Sequence, residues 1–408
     1  MRILVWLSFT VLLAQMCSAG APTRVTIDER NRLILNGRPW FLICMSGGPP
    51  LGAKDPLGRD AMDVMRTAGV NSFRVGSSMA TPEDIEANAK YMDWVAEHGM
   101  YAFPNLREIS IFNSDMPERR EQLRSVIERF RNHPALAAWK TKDEPGWDHT
   151  PIPPEHLEAS YRFIKELDPD HPVWINHAAR YMERWRNYRN ACDITGVDVY
   201  PISIPMGKGS HIANRNISAV GDYTELISKA MDEKKPILMV LQVCWSGAMP
   251  PKNVRVYPTF HQERYMAYQA IIKGANGLLF FGSDKGYEDQ DAPYGFNWTF
   301  WKNVLKPLLK EIGEGSELHS ALLVPDSDIR IKAKGAPDIE FTCREVGSFL
   351  YILAAKRELA ESPITFSGDS LKGEIEVMFE NRKIEAKGGS FTDRFGQNDV
   401  HVYRINRQ

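Results

Sequence analysis

From residue 41 onward, apolar residues fall into short dense runs, each followed by a longer stretch in which they recur every three or four positions. The dense runs at 41–46, 71–75, 101–106, 136–139, 173–176, 194–200, 236–243 and 277–281 predict strands. Runs this continuous suit strands covered on both faces, as in a parallel sheet. The stretches at 60–68, 82–97, 118–131, 154–167, 223–232, 261–273 and 300–312 predict helices, the second with Thr81 as its cap and Pro82 in its first turn. Strands alternating with helices at this spacing, eight strands in all, are the pattern of a closed (β/α)8 (TIM) barrel in the α/β class. An open doubly wound sheet is disfavoured because no G-x-G-x-x-G stands at any strand-to-helix turn. Ahead of the barrel, 25–43 alternates and turns at Asn36-Gly37, a β-hairpin expected to cap the barrel's bottom. Beyond 315 the period changes. Runs such as I-R-I-K-A, F-L-Y-I-L-A-A, G-E-I-E-V-M-F and V-H-V-Y-R-I, separated by Gly, Asp, Asn and Ser, predict an antiparallel β-sandwich over 316–408 bracing a barrel over 20–315.

Charge and cysteine content narrow the function classes. Over 408 residues, 50 Lys and Arg stand against 52 Asp and Glu, a balance that gives no footprint for nucleic acid or an anionic membrane. Residues 1–19 read as a secretory signal peptide: Arg2, an apolar stretch over 3–13, then Cys17-Ser18-Ala19 as a small-residue cleavage site. The mature chain is therefore expected to be secreted or periplasmic, and no later run of 18 apolar residues offers a membrane span. Cys44, Cys192, Cys244 and Cys343 form no C-x-x-C and are expected to be buried apolar residues with at most one disulfide. No metal or cofactor is predicted, and nothing in the sequence sets an oligomeric state.

The chemistry gathers at W-K-T-K-D-E-P, residues 139–145, where an apolar strand runs into two adjacent acids and a proline. Pro145 cannot donate to a sheet and is expected to hold Glu144 extended, so the strand should end with an acid at its lip, where barrel enzymes react. Successive strand residues face opposite ways, so only one of Asp143 and Glu144 is expected to face the cleft unless the strand bends.

Several of these features together resemble the large clan of (β/α)8-barrel glycoside hydrolases: the early hairpin, Arg74 on the second strand, an acid before proline on the fourth, Tyr200-Pro201 on the sixth, the closing helix and the terminal β-domain. Members of that clan carry Asn-Glu-Pro on strand four, its Glu the general acid/base, and a nucleophilic Glu on strand seven. By position Glu144 matches the first of these. Asp143 stands where the clan has Asn, and Gln242 where it has the nucleophile, and an amide cannot form a glycosyl ester.

What the resemblance implies is a secreted hydrolase cleaving a neutral oligo- or polysaccharide, with Glu144 as general acid, its pKa raised by enclosure and by Asp143. Three candidates could act as the second group. Asp198 at the end of strand six could be the base of an inverting enzyme. Asp143 could orient a substrate acetamide, as in barrel N-acetylhexosaminidases. Glu263, on the helix after strand seven, is more readily an ion-pair partner of a barrel residue. Arg74, Asn105, His177, Tyr200, Gln242, Trp245 and Asp284 supply hydrogen-bonding groups and flat faces for a sugar. Trp147 and Trp185 fall in loops as candidate subsites, and 201–221 reads as a mobile rim. The rival class is a carbohydrate-binding barrel that has lost catalysis, motivated by Gln242; a metal-dependent hydrolase is disfavoured for want of a histidine pair.

Overall fold

The computed structural model describes residues 20–76, 78–243, 245–246 (backbone only) and 254–407. Residues 1–19, expected to be a signal peptide, and Cys244 therefore lie outside the described residues. Eight parallel strands form the barrel: Leu42–Ser46, Ser72–Val75, Tyr101–Pro104, Trp139–Lys140, Val173–Ala178, Ile194–Asp198, Leu238–Gln242 and Gly277–Phe281. Strand eight pairs with strand one from Gly277 opposite Leu42 to Phe281 opposite Ser46. Strands three and four meet through bridges at Ala102 with Leu136 and Asn105 with Lys140, which close the ring.

Most crossovers are α-helices, Ala61–Ala68, Pro82–Glu97, Pro117–Phe130, Pro154–Leu167, Ala219–Ala230 and Phe260–Ile272, whose apolar stripes face the strands. Two of these carry clear start signals in the sequence: the Thr81 side chain accepts the Asp84 amide, and Thr259 and Gln262 form a reciprocal capping box. Between strands five and six the crossover is a 3-10 helix, Met182–Ala191, which the charge-rich M-E-R-W-R-N-Y-R-N-A did not signal as helical.

Strand pleat decides what the lumen contains. Leu42, Cys44, Phe103, Ala138, Trp174, Ile194, Leu238, Val240 and Leu279 fill its lower part. Val25, Leu33 and Trp40 of a three-stranded antiparallel sheet (Val25–Ile27, Leu33–Leu35, Arg38–Trp40) join the same cluster, so that sheet plugs the bottom. One step higher in the same alternation stand Ser46, Arg74, Asn105, Lys140, Asn176, Asp198 and Gln242. The lumen is thus an apolar plug with a polar top. Gly196 makes room for this packing, since a Cβ there would lie 2.2 Å from the Leu238 carbonyl oxygen and 3.3 Å from Asn176 Oδ1.

The C-terminal sandwich has a three-stranded sheet (Lys332–Lys334, Ser362–Ser367, Ser390–Phe395) and a five-stranded one (Ile339–Val346, Phe349–Lys356, Gly373–Val377, Arg382–Ala386, Val400–Asn406), both antiparallel. Phe349–Lys356 reads as an almost unbroken apolar run because both of its faces are covered. Leu350, Ile352 and Ala354 enter the sandwich core, while Tyr351, Leu353 and Ala355 pack into the barrel's helical layer. Polar links flank that contact: Lys273 Nζ lies 3.0 Å from Glu340 Oε1, and Arg357 Nη1 lies 2.8 Å from Asp222 Oδ1. Cys44, Cys192 and Cys343 are buried free thiols.

Candidate functional site

The fourth strand ends at Lys140, three residues before the acids, and the chain then turns rather than running on extended. Glu144 has a φ of +48°, in the left-handed region, which corrects the extended backbone expected ahead of Pro145. A glutamate before proline is disfavoured there, and the conformation is held by its surroundings. The Glu144 amide donates to the Asn176 carbonyl at 2.9 Å, and the Glu144 carbonyl accepts from the Trp147 amide at 3.0 Å. Because the pleat is broken, Asp143 and Glu144 do not alternate in and out, and both reach the mouth.

Each acid finds a different environment. Asp143 Oδ1 lies 2.9 Å from Lys140 Nζ and accepts from Asn176 Nδ2 at 3.4 Å. Burial acts to raise its pKa, but the Lys140 charge and hydrogen bond, helped by Arg74 and Asn176, outweigh it and hold Asp143 below the usual carboxylate range. Its side chain keeps 39% of its surface exposed, so it sits deep in the mouth yet meets the water of the cleft. Glu144 goes the other way. Burial, the Asp198 and Asp143 charges, and a hydrogen bond to Asp198 push it up to about 9. Asp198 itself is raised to about 6 by burial and the Asp143 charge, partly offset by the hydrogen bond from Asn176 Nδ2 at 2.8 Å. Glu144 and Asp198 therefore form a hydrogen-bonded dyad holding one proton near neutrality.

Lys140 and Asn176 organise this cluster, and neither was singled out from the sequence. Lys140 is fully buried, with its ammonium 4.7 Å from the centre of the Trp174 ring; burial lowers its pKa against the pull of Asp143. Inward alternation along strands four and five is the signal that marks both residues. Tyr200 joins them: burial and the nearby acids raise its pKa, it hydrogen-bonds Asp198, and its ring stacks on Phe281 with centroids 5.8 Å apart.

The other candidates divide. Arg74 donates from Nε to Ser46 Oγ at 2.8 Å and faces the mouth. Asn105 is buried on strand three with its Oδ1 unpartnered. His177 is not brought to the cleft. Strand five continues through Ala178, so its pleat turns His177 outward against Trp185 and Tyr188, where burial and the Lys140 charge hold its pKa down to about 3. Gln242 is fully buried and committed to the backbone of one residue, its Oε1 accepting from the Ile202 amide at 3.1 Å and its Nε2 donating to the Ile202 carbonyl at 2.5 Å. Glu263 is buried, and among the described residues its carboxylate oxygens have no partner and it makes no ion pair; burial raises its pKa well above the usual range. Trp185 is a packed residue donating to the Ala178 carbonyl, whereas Trp147 is exposed with Arg180 5.5 Å over its ring. The side chain of Trp245 lies outside the described residues. The segment expected to be a mobile rim is bonded through its length, from Gly207 on Pro201 to Asn214 on Asp222.

Asp284, past strand eight, lines a cleft of about 500 Å³ at the mouth with Gly47, Arg74, Arg107, Asp143 and Lys285. A Cβ at Gly47 would lie 2.2 Å from the Asp284 carboxyl carbon, so glycine there lets Asp284 lie against the lip of strand one. Among the described residues one group could hold a metal, Asp60, Asp63 and His98, with ligand atoms within 4.8 Å of one another. Asp60 there already caps a helix through the Met62 and Asp63 amides, and none of the three stands at a strand end of the mouth. No described helix is long and apolar enough to cross a membrane.

No family model matches the sequence. Solved structures with the same architecture do. A protein titled "Glycoside hydrolase" aligns over 95% of this chain and 97% of its own, with a TM-score of 0.60 and 13% identity. A glycoside hydrolase family 5 protein from Bacteroides vulgatus aligns over 94% and 93%, at 0.57 and 14%. A GH30 endoxylanase from Clostridium papyrosolvens aligns over 95% and 98%, at 0.52 and 12%. At these identities the likeness is one of fold, a (β/α)8 barrel with a C-terminal antiparallel β-sandwich.

Proposed function

We propose that the protein is a secreted glycoside hydrolase acting on an oligo- or polysaccharide, with Glu144 as general acid. The observation that carries this reading is the divergence of neighbouring carboxyls at one barrel mouth. Glu144 is kept protonated to about 9 while Asp143, next to it in the chain, is kept ionised by Lys140. Titratable groups whose surroundings push them apart in this way assign an acid and a base within one site. Glycoside cleavage needs that division: a proton for the leaving oxygen and negative charge or an activated water for the cationic sugar.

In this mechanism Asp198 shares the Glu144 proton until substrate displaces it. Glu144 then protonates the glycosidic oxygen, leaving Asp198 and Asp143 as the negative charge facing the oxocarbenium-like ring. Asp143, open to the cleft, takes a proton from the water as its oxygen bonds the anomeric carbon, or orients an acetamide on the substrate. Double displacement from strand seven is not used, because Gln242 is an amide already spent on Ile202. That observation also favours the second reading, a sugar-binding barrel without turnover.

Glu144→Gln separates the two. Hydrolysis, followed as release of reducing ends, should fall about 10²-fold or more while the folded state and glycan binding persist. Full activity in this variant rules out Glu144 as the acid, and saturable binding by the parent with no reducing ends over long incubation selects the binding-only reading. The parent should show a bell-shaped pH profile, with limbs near the dyad's values of about 6 and about 9.

A further inference from the structure

The resemblance implies a neutral substrate, but the local charge at the mouth does not. The cleft beside Asp143 carries cations from three different elements, Arg74 on strand two, Arg107 past strand three and Lys285 past strand eight. Among the described residues Arg74 and Lys285 take part in no ion pair; Arg74 spends only Nε, on a serine hydroxyl, and Lys285 lies 5.3 Å from the centre of the Phe281 ring. Among the described residues the acids that share the cleft form no ion pair with Arg74 or Lys285. Asp143 is ion-paired with Lys140 from below, at 2.9 Å. Asp284 forms no ion pair among the described residues, and burial raises its pKa in spite of Lys285 and Arg74, which disfavours a second negative charge there. The guanidinium fork of Arg74 is thus left with its outer donors toward a concave space large enough to enclose a sugar unit. An unpaired arginine facing a cleft is the fork geometry that carboxylate and sulfate oxygens fit.

We propose that this cleft is a subsite for a negatively charged sugar, one bearing a carboxylate or a sulfate, held by Arg74 with Lys285 at the rim. The inference rests on the hydrolase reading for the identity of the ligand as a glycan, and it replaces the neutral substrate with an anionic one. It also accounts for Arg74, to which strand seven of this chain offers no carboxylate, because Gln242 stands there.

Binding to full-length Glu144→Gln protein tests it by calorimetry, so that turnover does not interfere. The probes are oligosaccharides of galacturonate, glucuronate and mannuronate, each beside its methyl-esterified twin, and sulfated galactan oligosaccharides beside their desulfated twins. A charged member should bind more tightly than its uncharged twin, and the advantage should shrink as ionic strength rises. The uronate and sulfate arms distinguish the two sources of charge. Adding Lys285→Gln should weaken charged-ligand binding about threefold, and Arg74→Gln about tenfold or more, with the uncharged twin unaffected in both. Lys285 is exposed, so its variant should melt with the parent, and it keeps the test open if the Arg74 variant folds poorly. The proposal is overturned if no charged member out-binds its twin, or if the preference survives both substitutions. Cleavage of a neutral polymer by the parent, with no preference for charge, overturns this inference and keeps the hydrolase reading. Charged-ligand binding with no cleavage does the reverse.

Discussion

The two halves of the barrel mouth use ionisable residues in opposite ways. On the side of strands four to six, Lys140, Asp143, Glu144, Asn176, Asp198 and Tyr200 hydrogen-bond or pair with one another, and their pKa values move in both directions as a result. On the side of strands one, two and eight, Arg74, Asp284 and Lys285 line an open cleft and form no ion pairs among the described residues. A satisfied cluster sets protonation states in advance and so can do acid chemistry. An unsatisfied one keeps its donors for something that arrives from solution.

Three substitutions sharpen or break that contrast. Asn176→Ala should have the largest effect, because it removes the 2.8 Å hydrogen bond to Asp198 inside the satisfied half. Hydrogen bonds to charged groups contribute about 1.5–3 kcal/mol, so chemical denaturation should show a loss of about 2 kcal/mol. The acid limb of the pH profile should also rise above about 6, since Asn176 is what holds Asp198 down. An unchanged acid limb would place Asp198 outside the rate profile.

Gln242→Glu comes next. It supplies the carboxylate that resembled hydrolases carry on strand seven, but it replaces the donor now bonded to the Ile202 carbonyl with an oxygen. Stability should fall by about 1–3 kcal/mol with no gain in hydrolysis. Increased turnover would show that strand seven can still host a nucleophile.

Asp198→Asn should have the smallest effect on stability, while it slows hydrolysis and removes the acid limb near 6. Removing that negative charge lets Glu144 ionise more easily, so the alkaline limb should move down from about 9 while the fold is kept. The sign follows from linkage. Glu144 is raised in the folded state above its ordinary value of 4.5, so the stability tied to its neutral form is fully present below 4.5 and is lost as pH rises through about 9. In the variant that loss should be complete at a lower pH, which thermal melts across the range would read directly.

How much of this was legible in advance differs from one element to the next. Runs such as 236–243 and helices such as Pro82–Glu97 follow from short-range rules: dense apolar stretches for strands covered on both faces, a Thr cap and a first-turn proline for the helix. The ring of eight strands and the sandwich came through for the same reason. W-K-T-K-D-E-P likewise marked where the acids would stand. The turn at Glu144 was not legible, because proline argues for an extended backbone, while the left-handed one is held in part by the Asn176 carbonyl, 32 positions away in the chain.

Strand register was the other limit. Ending strand five at Asn176 puts His177 at the lip; the strand runs on to Ala178, so Asn176 faces the acids and His177 turns away. A slip of one residue exchanges the two faces of a strand, and pattern alone does not fix where a fully buried strand stops. Gln242 read as a sugar ligand because the Ile202 backbone that occupies it comes from another loop. The chain alone thus determined the architecture and the address of its acids, since burial patterns and caps act between near neighbours. Which acid keeps a proton, which cation stays unpaired and which amide is already spent were decided by tertiary structure, because those depend on charges and carbonyls that only folding brings within a few ångströms.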